Sequence, residues 1–252
     1  MINVMKSSHL LFPDWPAPIH VSAVCTTRGL NEAQPMDSAA GFNLAHPQGL
    51  TLPEVQKNRS QLIRELRLLQ DPQWLWQVHG TNLLRLPHQG ELSTADGAIT
   101  SEVNYACVIL TADCLPMLLT DQQGQQVAAI HAGWRGLAAG IVQRAIACFS
   151  QPQQVLVWLG PAIGAQAFVV DSDVLTAFLA VNDDLQHCFR PCPQSSGKWL
   201  ADIYGLARCQ LKSLGVTQVY GGDYCTYTDS KRFFSYRRDA TYGRMASLIW
   251  IR

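Results

Sequence analysis

Residues 107–141 read CVILTADCLPMLLTDQQGQQVAAIHAGWRGLAAGI, and the way polar steps punctuate this stretch decides the fold. Three apolar runs, Cys107–Leu110, Leu115–Leu119 and Val127–Ile130, alternate with the polar step Thr111-Ala112-Asp113-Cys114 and the turn Asp121-Gln122-Gln123-Gly124-Gln125-Gln126. Short apolar runs bounded by glycine and polar clusters are the pattern of buried strands. If the Gly124 turn closes a hairpin, Met117 falls opposite Ile130, and Cys114 comes near His131. A thiol and an imidazole then share one end of a hairpin, followed by Gly133-Trp134-Arg135-Gly136 and a helix.

Either side of this stretch, periodicity predicts further elements. His20–Thr27 reads as a strand, and 31–49 as a long polar surface loop. Pro53 opens a helix expected to reach Leu69, with Val55, Leu62, Leu66 and Leu69 on one face and Asp71-Pro72 stopping it. Trp74–Val78 reads as a strand delivering His79, with Leu83–Leu86 pairing beside it. Leu137, Ile141, Ala145 and Phe149 recur at helical spacing, and Val155–Leu159 is a strand closed by Gly160-Pro161-Ala162-Ile163-Gly164. A helix capped by Ser172 or Asp173 runs through Leu179, and another from Ile203 to Leu214 ends at Gly215. Val216–Tyr220 and Ala246–Ile251 are the last strands. With no repeat, linker or low-complexity tract, the expectation is one domain over 1–252, mixed α/β (α+β), with mixed β-sheets flanked by helices.

Composition excludes several classes. Of 252 residues 48% are hydrophobic and 15% charged, and 19 basic side chains balance 19 acidic ones, so net charge gives no argument for a nucleic-acid or acidic-membrane partner, and none is expected. No apolar run approaches the roughly 18–20 residues of a membrane span. Eight irregularly spaced cysteines without a C-x-x-C pair, and no export signal, point to reduced thiols and a cytoplasmic location. Cys188 and Cys192 lie close together in a polar loop, where a second metal site is one reading.

Chemistry concentrates at a few positions. His79, Cys114 and His131 each stand where a strand is expected to end, and two imidazoles with one thiolate form a known catalytic zinc set with an open fourth position. Their separations match no zinc-finger pattern, so buried core imidazoles and a small core cysteine remain the alternative. Around Arg135, glycines and a helix start suit an anion, against a plain strand-to-helix turn with an ion-paired arginine. Arg237-Arg238 with Arg244, near Asp239, reads as a basic group or a surface ion-pair cluster. Asp113 is a candidate general acid or base, or a residue orienting a ligand; Asp96, in an Asp-Gly turn, is expected to hold a loop.

These residues fall in motifs that resemble the YfiH family, whose members are also called laccase domain-containing or polyphenol oxidase-like proteins and purine nucleoside phosphorylases. The motifs are Gln77–Gly80, Thr111–Pro116, His131–Gly136, Gly160–Gly164, Cys225-Thr226 and Phe233–Asp239, in consistent order from about Trp74 to the C-terminus. Before residue 70 only Arg28, Asn43-Leu44 and Asn58-Arg59 match. The resemblance implies a fold related to cytotoxic-necrotizing-factor-like hydrolases and zinc, with copper as the alternative ion, on His79, Cys114 and His131. The implied activity is phosphorolysis of adenosine, inosine, guanosine and methylthioadenosine, with adenosine deamination as a second reaction. With that activity in view, the candidate catalytic residues are Asp113, Cys114 and Arg135, and substrate contacts are expected from Asn43, Arg59, Arg237 and Arg238.

Two departures stand out. The family's Phe-Glu-Val-Gly reads Phe168-Val169-Val170-Asp171 here, and its Asn-Leu-Gly…Gly-Asp reads Asn43-Leu44-Ala45…Gly49-Leu50. Rival readings are a cysteine hydrolase with Cys114 as nucleophile and His131 as base, including amide hydrolysis in cell-wall precursor editing, and a copper polyphenol oxidase. The oxidase is disfavoured because the seven histidines form no H-x-H pair. A non-catalytic binding protein has no positive sign. The residues do not fix the oligomeric state.

Overall fold

Side-chain alternation splits the central hairpin between two cores. Leu115, Met117 and Leu119, with Ala128, Ile130 and Ala132, face a core shared with helices; Leu118, Val127 and Ala129 face another shared with a second sheet. This period of two is what a strand buried on both faces demands. The computed structural model describes residues 9–29, 41–47, 50–90 and 94–252.

The hairpin strands Leu115–Asp121 and Val127–Ala132 lie at the centre of a six-stranded mixed sheet. Their register sets Met117 opposite Ile130, as the turn chemistry predicts. Outward on one side come Val155–Leu159 and Gln218–Gly221, and on the other Gly97–Thr100 and Leu83–Arg85. A four-stranded antiparallel sheet, ordered Leu10–Leu11, Val21–Thr26, Met245–Ile251, Cys107–Thr111, packs against it. Cys107, Ile109, Met245 and Ile249 point into the core between the sheets, whereas Val108, Ala246 and Leu248 join Leu62 of the helix Pro53–Leu66 on the outer side. The layers therefore run helices, six-stranded sheet, four-stranded sheet, helix. A small sheet of Phe189–Pro191, Trp199–Ala201 and Val169–Val170 flanks the helical side. Among the described residues no helix is long and apolar enough to cross a membrane.

Thr111 ends a strand of one sheet and Leu115 begins a strand of the other, so Ala112-Asp113-Cys114 carries the chain between sheets. Asp113 makes the turn with φ of 80°. This is a left-handed conformation that costs a non-glycine residue roughly 1 kcal/mol and is least unfavourable for Asp and Asn.

Several expected elements differ. The helix from Pro53 stops at Leu66 because Arg67 turns left-handed at φ 52°, which leaves Leu69 73% exposed rather than on the buried face. Trp74–Val78 is no strand: only Trp76 bridges to Thr94, and Leu83–Arg85 instead pairs in parallel with Gly97–Thr100. The Gln77 amide supplies the reason, since it donates to the Leu110 carbonyl (2.8 Å) and accepts from the Leu110 amide (2.7 Å). A side chain thus closes the edge of Cys107–Thr111, and the backbone of 74–78 does not need to pair. The helical pattern after Arg135 divides into Trp134–Ala138 and Ile141–Ile146 at Gly140, whose φ is 92°. Ser172–Leu179 has Asp171, not Ser172 or Asp173, as N-cap, and no side chain caps it. Of the loop expected over 31–49, residues 31–40 and 48–49 lie outside the described residues.

Leu118→Ala, which empties a fully buried site between the sheets, is expected to lower unfolding free energy by about 3 kcal/mol. Leu69→Ala is expected to stay within about 0.5 kcal/mol of the parent. Urea denaturation midpoints at constant slope check both.

Candidate metal centre and cleft

Asp96 is fully buried in the turn that enters Gly97–Thr100, and its carboxylate collects four donors. The amides of Val78, His79 and Gly80 donate at 3.2, 2.8 and 2.6 Å, and His131 Nδ1 lies 2.8 Å away. Burial alone would raise the Asp96 pKa, but the His131 bond and the amides outweigh it and hold the carboxyl below its usual range. The expected loop-holding role of Asp96 is observed, and orientation of His131 adds to it. With Nδ1–H given to Asp96, His131 turns Nε2 toward Cys114, a tautomer assignment that follows from the hydrogen bond.

The three donors of His79, Cys114 and His131 lie within 4.8 Å of one another. Cys114 Sγ is 3.7 Å from His79 Nε2, and the two imidazoles meet edge to face with centroids 4.7 Å apart. A tetrahedral ion with the usual Zn–S and Zn–N bonds needs donors separated by about 3.3–3.8 Å, so the cluster fits a divalent ion with small adjustment. Gly133 keeps the space open: a Cβ there would stand 2.8 Å from His79 Cδ2 and 3.1 Å from Cys114 Sγ. Burial raises the Cys114 thiol, but His131 and then His79 outweigh it and bring its pKa down to about 6. Burial likewise disfavours charged His131, yet Cys114 and Asp96 pull its pKa up to about 9. The metal-free pair is therefore a thiolate beside an imidazolium, and a bound ion would take the place of the Nε2 proton.

These donors help line a cleft of about 690 Å³. Its walls include Trp134, Ile163, Phe168, Ile203 and Tyr236, with Arg135, Arg237 and Arg244 supplying positive charge. Arg135 stacks on Trp134 at 4.3 Å and, among the described residues, pairs with no carboxylate, so the ion-paired alternative does not hold. Arg237 Nη1 donates to the Val169 carbonyl (2.7 Å), so the position where a glutamate was expected meets Arg237 through its backbone. Two residues not singled out as contacts also face it. Arg244 is one, its guanidinium donating to the carbonyls of Thr241 and Gly243. The other is Thr111, whose buried hydroxyl finds no hydrogen-bond partner in the protein. Only the basic cluster 237–244 hinted at the first, and nothing local marks the second.

Four of the expected site residues have hydrogen-bond partners within the protein. Asp113 lines the cleft, and its carboxylate accepts from Thr226 Oγ1 (2.6 Å), Ser235 Oγ (3.0 Å) and the Arg237 amide (2.7 Å). Arg238 faces away from the cleft, spending its guanidinium on the carbonyls of Thr226, Tyr227 and Phe233 and on Asp239. Asn43 is buried and bonds both backbone groups of Ala45 and the Arg244 amide. Arg59 donates to the Leu44 carbonyl (2.9 Å) and stacks on Trp74 at 3.9 Å. Each is a brace for the loops that form the cleft wall.

Comparison with known proteins places this geometry in context. Residues 22–252 match the family described as multi-copper polyphenol oxidoreductase laccase. An Escherichia coli protein named purine nucleoside phosphorylase YfiH is 45% identical over 97% of this chain and 99% of its own. A Pseudomonas aeruginosa purine nucleoside phosphorylase is 44% identical over 96% and 98%. A solved Neisseria meningitidis protein superposes with a TM-score of 0.87 at 41% identity, covering 96% of this chain and 99% of that one.

Gly133→Ala is expected to weaken metal binding about tenfold or more while leaving the melting temperature nearly unchanged, because φ of −65° suits alanine and only the donor space is filled. Competition against a chelating dye measures it. Asp113→Ala is expected to cost about 3 kcal/mol, and Asp113→Gly about 1 kcal/mol less, since both lose the latch but only glycine accepts φ of 80° freely. Chemical denaturation separates the two.

Proposed function

Because this chain belongs to the family described as multi-copper polyphenol oxidoreductase laccase, together with proteins named purine nucleoside phosphorylase, we propose that it is a zinc-dependent purine nucleoside phosphorylase. Its substrates are adenosine, inosine, guanosine and methylthioadenosine with inorganic phosphate, and hydrolytic loss of the adenosine amino group is a second reaction. The observation that carries this reading is the convergence of His79, Cys114 and His131 in a cleft that Arg135, Arg237 and Arg244 also line.

His79, Cys114 and His131 would hold the ion. When bound it supplies Lewis acidity toward an oxygen or nitrogen of the reactants. The protein's own groups do the rest. Trp134, Phe168 and Tyr236 offer flat apolar faces to the purine. Arg135 and Arg237 bind phosphate and offset the negative charge brought to the sugar. A phosphate oxygen forms the new bond at the anomeric carbon as the glycosidic C–N bond breaks, its electron pair leaving with the base. The base takes up the proton that the phosphate brings, and the products are the free purine and the sugar 1-phosphate: ribose 1-phosphate, or 5-methylthioribose 1-phosphate from methylthioadenosine. Asp113 serves by holding the sheet crossing beside Cys114.

One geometric feature favours a second reading. Cys114, His131 and Asp96 also form a nucleophile, base and orienting carboxylate in hydrogen-bonded series, the arrangement of a cysteine hydrolase. The two readings part on the metal, because a metal-held thiolate is a poor free nucleophile.

Purified protein given inosine and phosphate is expected to release hypoxanthine, seen by chromatography. A chelator is expected to abolish the reaction and added zinc to restore it. Arg135→Ala is expected to raise the phosphate KM about tenfold, the size of one lost charge-assisted bond. Absence of free base from every purine nucleoside tried, in metal-replete protein, sinks the phosphorylase reading. Hydrolysis of amide substrates that survives chelation and dies in Cys114→Ser establishes the hydrolase instead.

A further inference from the structure

A second group of soft donors gathers away from the cleft. His187 and Cys188 end the 3-10 helix Asp183–Cys188, and Cys209 lies on the helix Ile203–Ser213, two turns in. Cys209 Sγ is 3.4 Å from His187 Nε2. With Cys188 Sγ, the three donor atoms all lie within 4.8 Å of one another. His187 Nδ1 is hydrogen-bonded to the Asp184 carbonyl, which puts the ring proton on Nδ1 and aims the Nε2 lone pair at the sulfurs. That is the support a ligating histidine ordinarily receives, and the same device sets His131 against Asp96 in the cleft. None of the eight cysteines is in a disulfide, so both thiols are available. The pairing also corrects the sequence expectation. Cys192 contacts Gln194 Oε1 instead, and the partner of Cys188 comes from 21 residues further along.

We propose that His187 Nε2, Cys188 Sγ and Cys209 Sγ form a second metal site, for a thiophilic divalent ion such as zinc. Two thiolates and an imidazole are a zinc donor set, and the exposed position of His187 leaves the fourth ligand to water. Binding replaces the two thiol protons, which leave to solvent, and involves no change of oxidation state. Cys188 is buried and His187 exposed, so the ion would sit at the rim of the helical layer and add a second tie between two elements already joined by the Asp202 amide, which donates to the Cys188 carbonyl (2.8 Å).

What the ion would brace follows from the helix it holds. Ile203, at the start of that helix, lines the cleft. Tyr204 Oη accepts from the Ala162 amide (2.7 Å) and lies 3.0 and 2.9 Å from the carbonyls of Gly160 and Tyr224. The turn so held sends the Ile163 amide to the Asp113 carbonyl (2.9 Å). On its other side the 3-10 helix runs into Phe189–Pro191, whose sheet ends at Val169–Val170 and hence at the carbonyl that receives Arg237. The second site shares no residue with the cleft, yet a tether there fixes one of its walls.

Reduced, metal-stripped protein titrated with cobalt(II) tests this, counting equivalents from the thiolate-to-metal charge-transfer band, with zinc displacement as a check. The wild type is expected to bind two equivalents. Cys209→Ser and His187→Gln are each expected to bind one, Cys114→Ser one, and Cys114→Ser with Cys209→Ser none. His187 is exposed, so its substitution reads the site even if the Cys209 variant fails to fold. A wild type that binds one equivalent, lost wholly in Cys114→Ser, overturns the second site, as does full two-equivalent binding by His187→Gln. One equivalent retained in Cys114→Ser but lost in His187→Gln supports it whatever the fate of the zinc reading of the cleft.

Discussion

One buried carboxylate holds the candidate centre together. Asp96 receives three consecutive amides from 78–80 and the imidazole of His131, and its own carbonyl accepts the His131 amide at 2.7 Å. A carboxylate excluded from water is stable only if nearly every lone pair is met, and here the donors come from both histidine-bearing segments. Fixing Asp96 therefore fixes His79 relative to His131. The left-handed His79, at φ 60°, is part of the same arrangement, since it curls 78–80 around the carboxylate.

Asp113 performs the corresponding task for Cys114. The chain must leave one sheet and enter the other within three residues, which forces a left-handed turn next to the thiol. Thr226, Ser235 and the Arg237 amide grip its carboxylate, while the Ile163 amide takes its carbonyl. Those residues come from Gly160–Gly164, Cys225-Thr226 and Phe233–Asp239, so these motifs act mainly as a clamp on the sheet crossing. The adjacent Arg237 and Arg238 divide the labour. One lines the cleft and the other ties the clamp shut through carbonyls of 226, 227 and 233.

The electrostatics of the centre follow from this geometry. The whole chain has no net charge at neutral pH, yet the cleft collects Arg135, Arg237 and Arg244 around a thiolate–imidazolium pair. Low dielectric strengthens both the attraction within the pair and the field felt by a bound anion. The same closeness that makes Cys114 and His131 an ion pair makes them a ready half of a metal site, and the choice between the two rests on whether an ion is present.

Local sequence determined the central strands, the hairpin and its register, because alternation of apolar residues and a glycine turn are short-range signals that burial on both faces enforces. It also marked the three donors of the cleft, by placing polar residues at the ends of apolar runs. The tertiary structure alone decided that Gln77 replaces a strand, that Asp113 is a latch, that Arg238, Asn43 and Arg59 brace loops while Arg244 and Thr111 meet the cleft, and that Cys209 partners Cys188. In each case the partners lie many residues apart or compete with equally suitable neighbours. Which one a polar side chain takes is settled by the closing of layers around it, since a buried donor or acceptor accepts whichever partner that closure brings within reach.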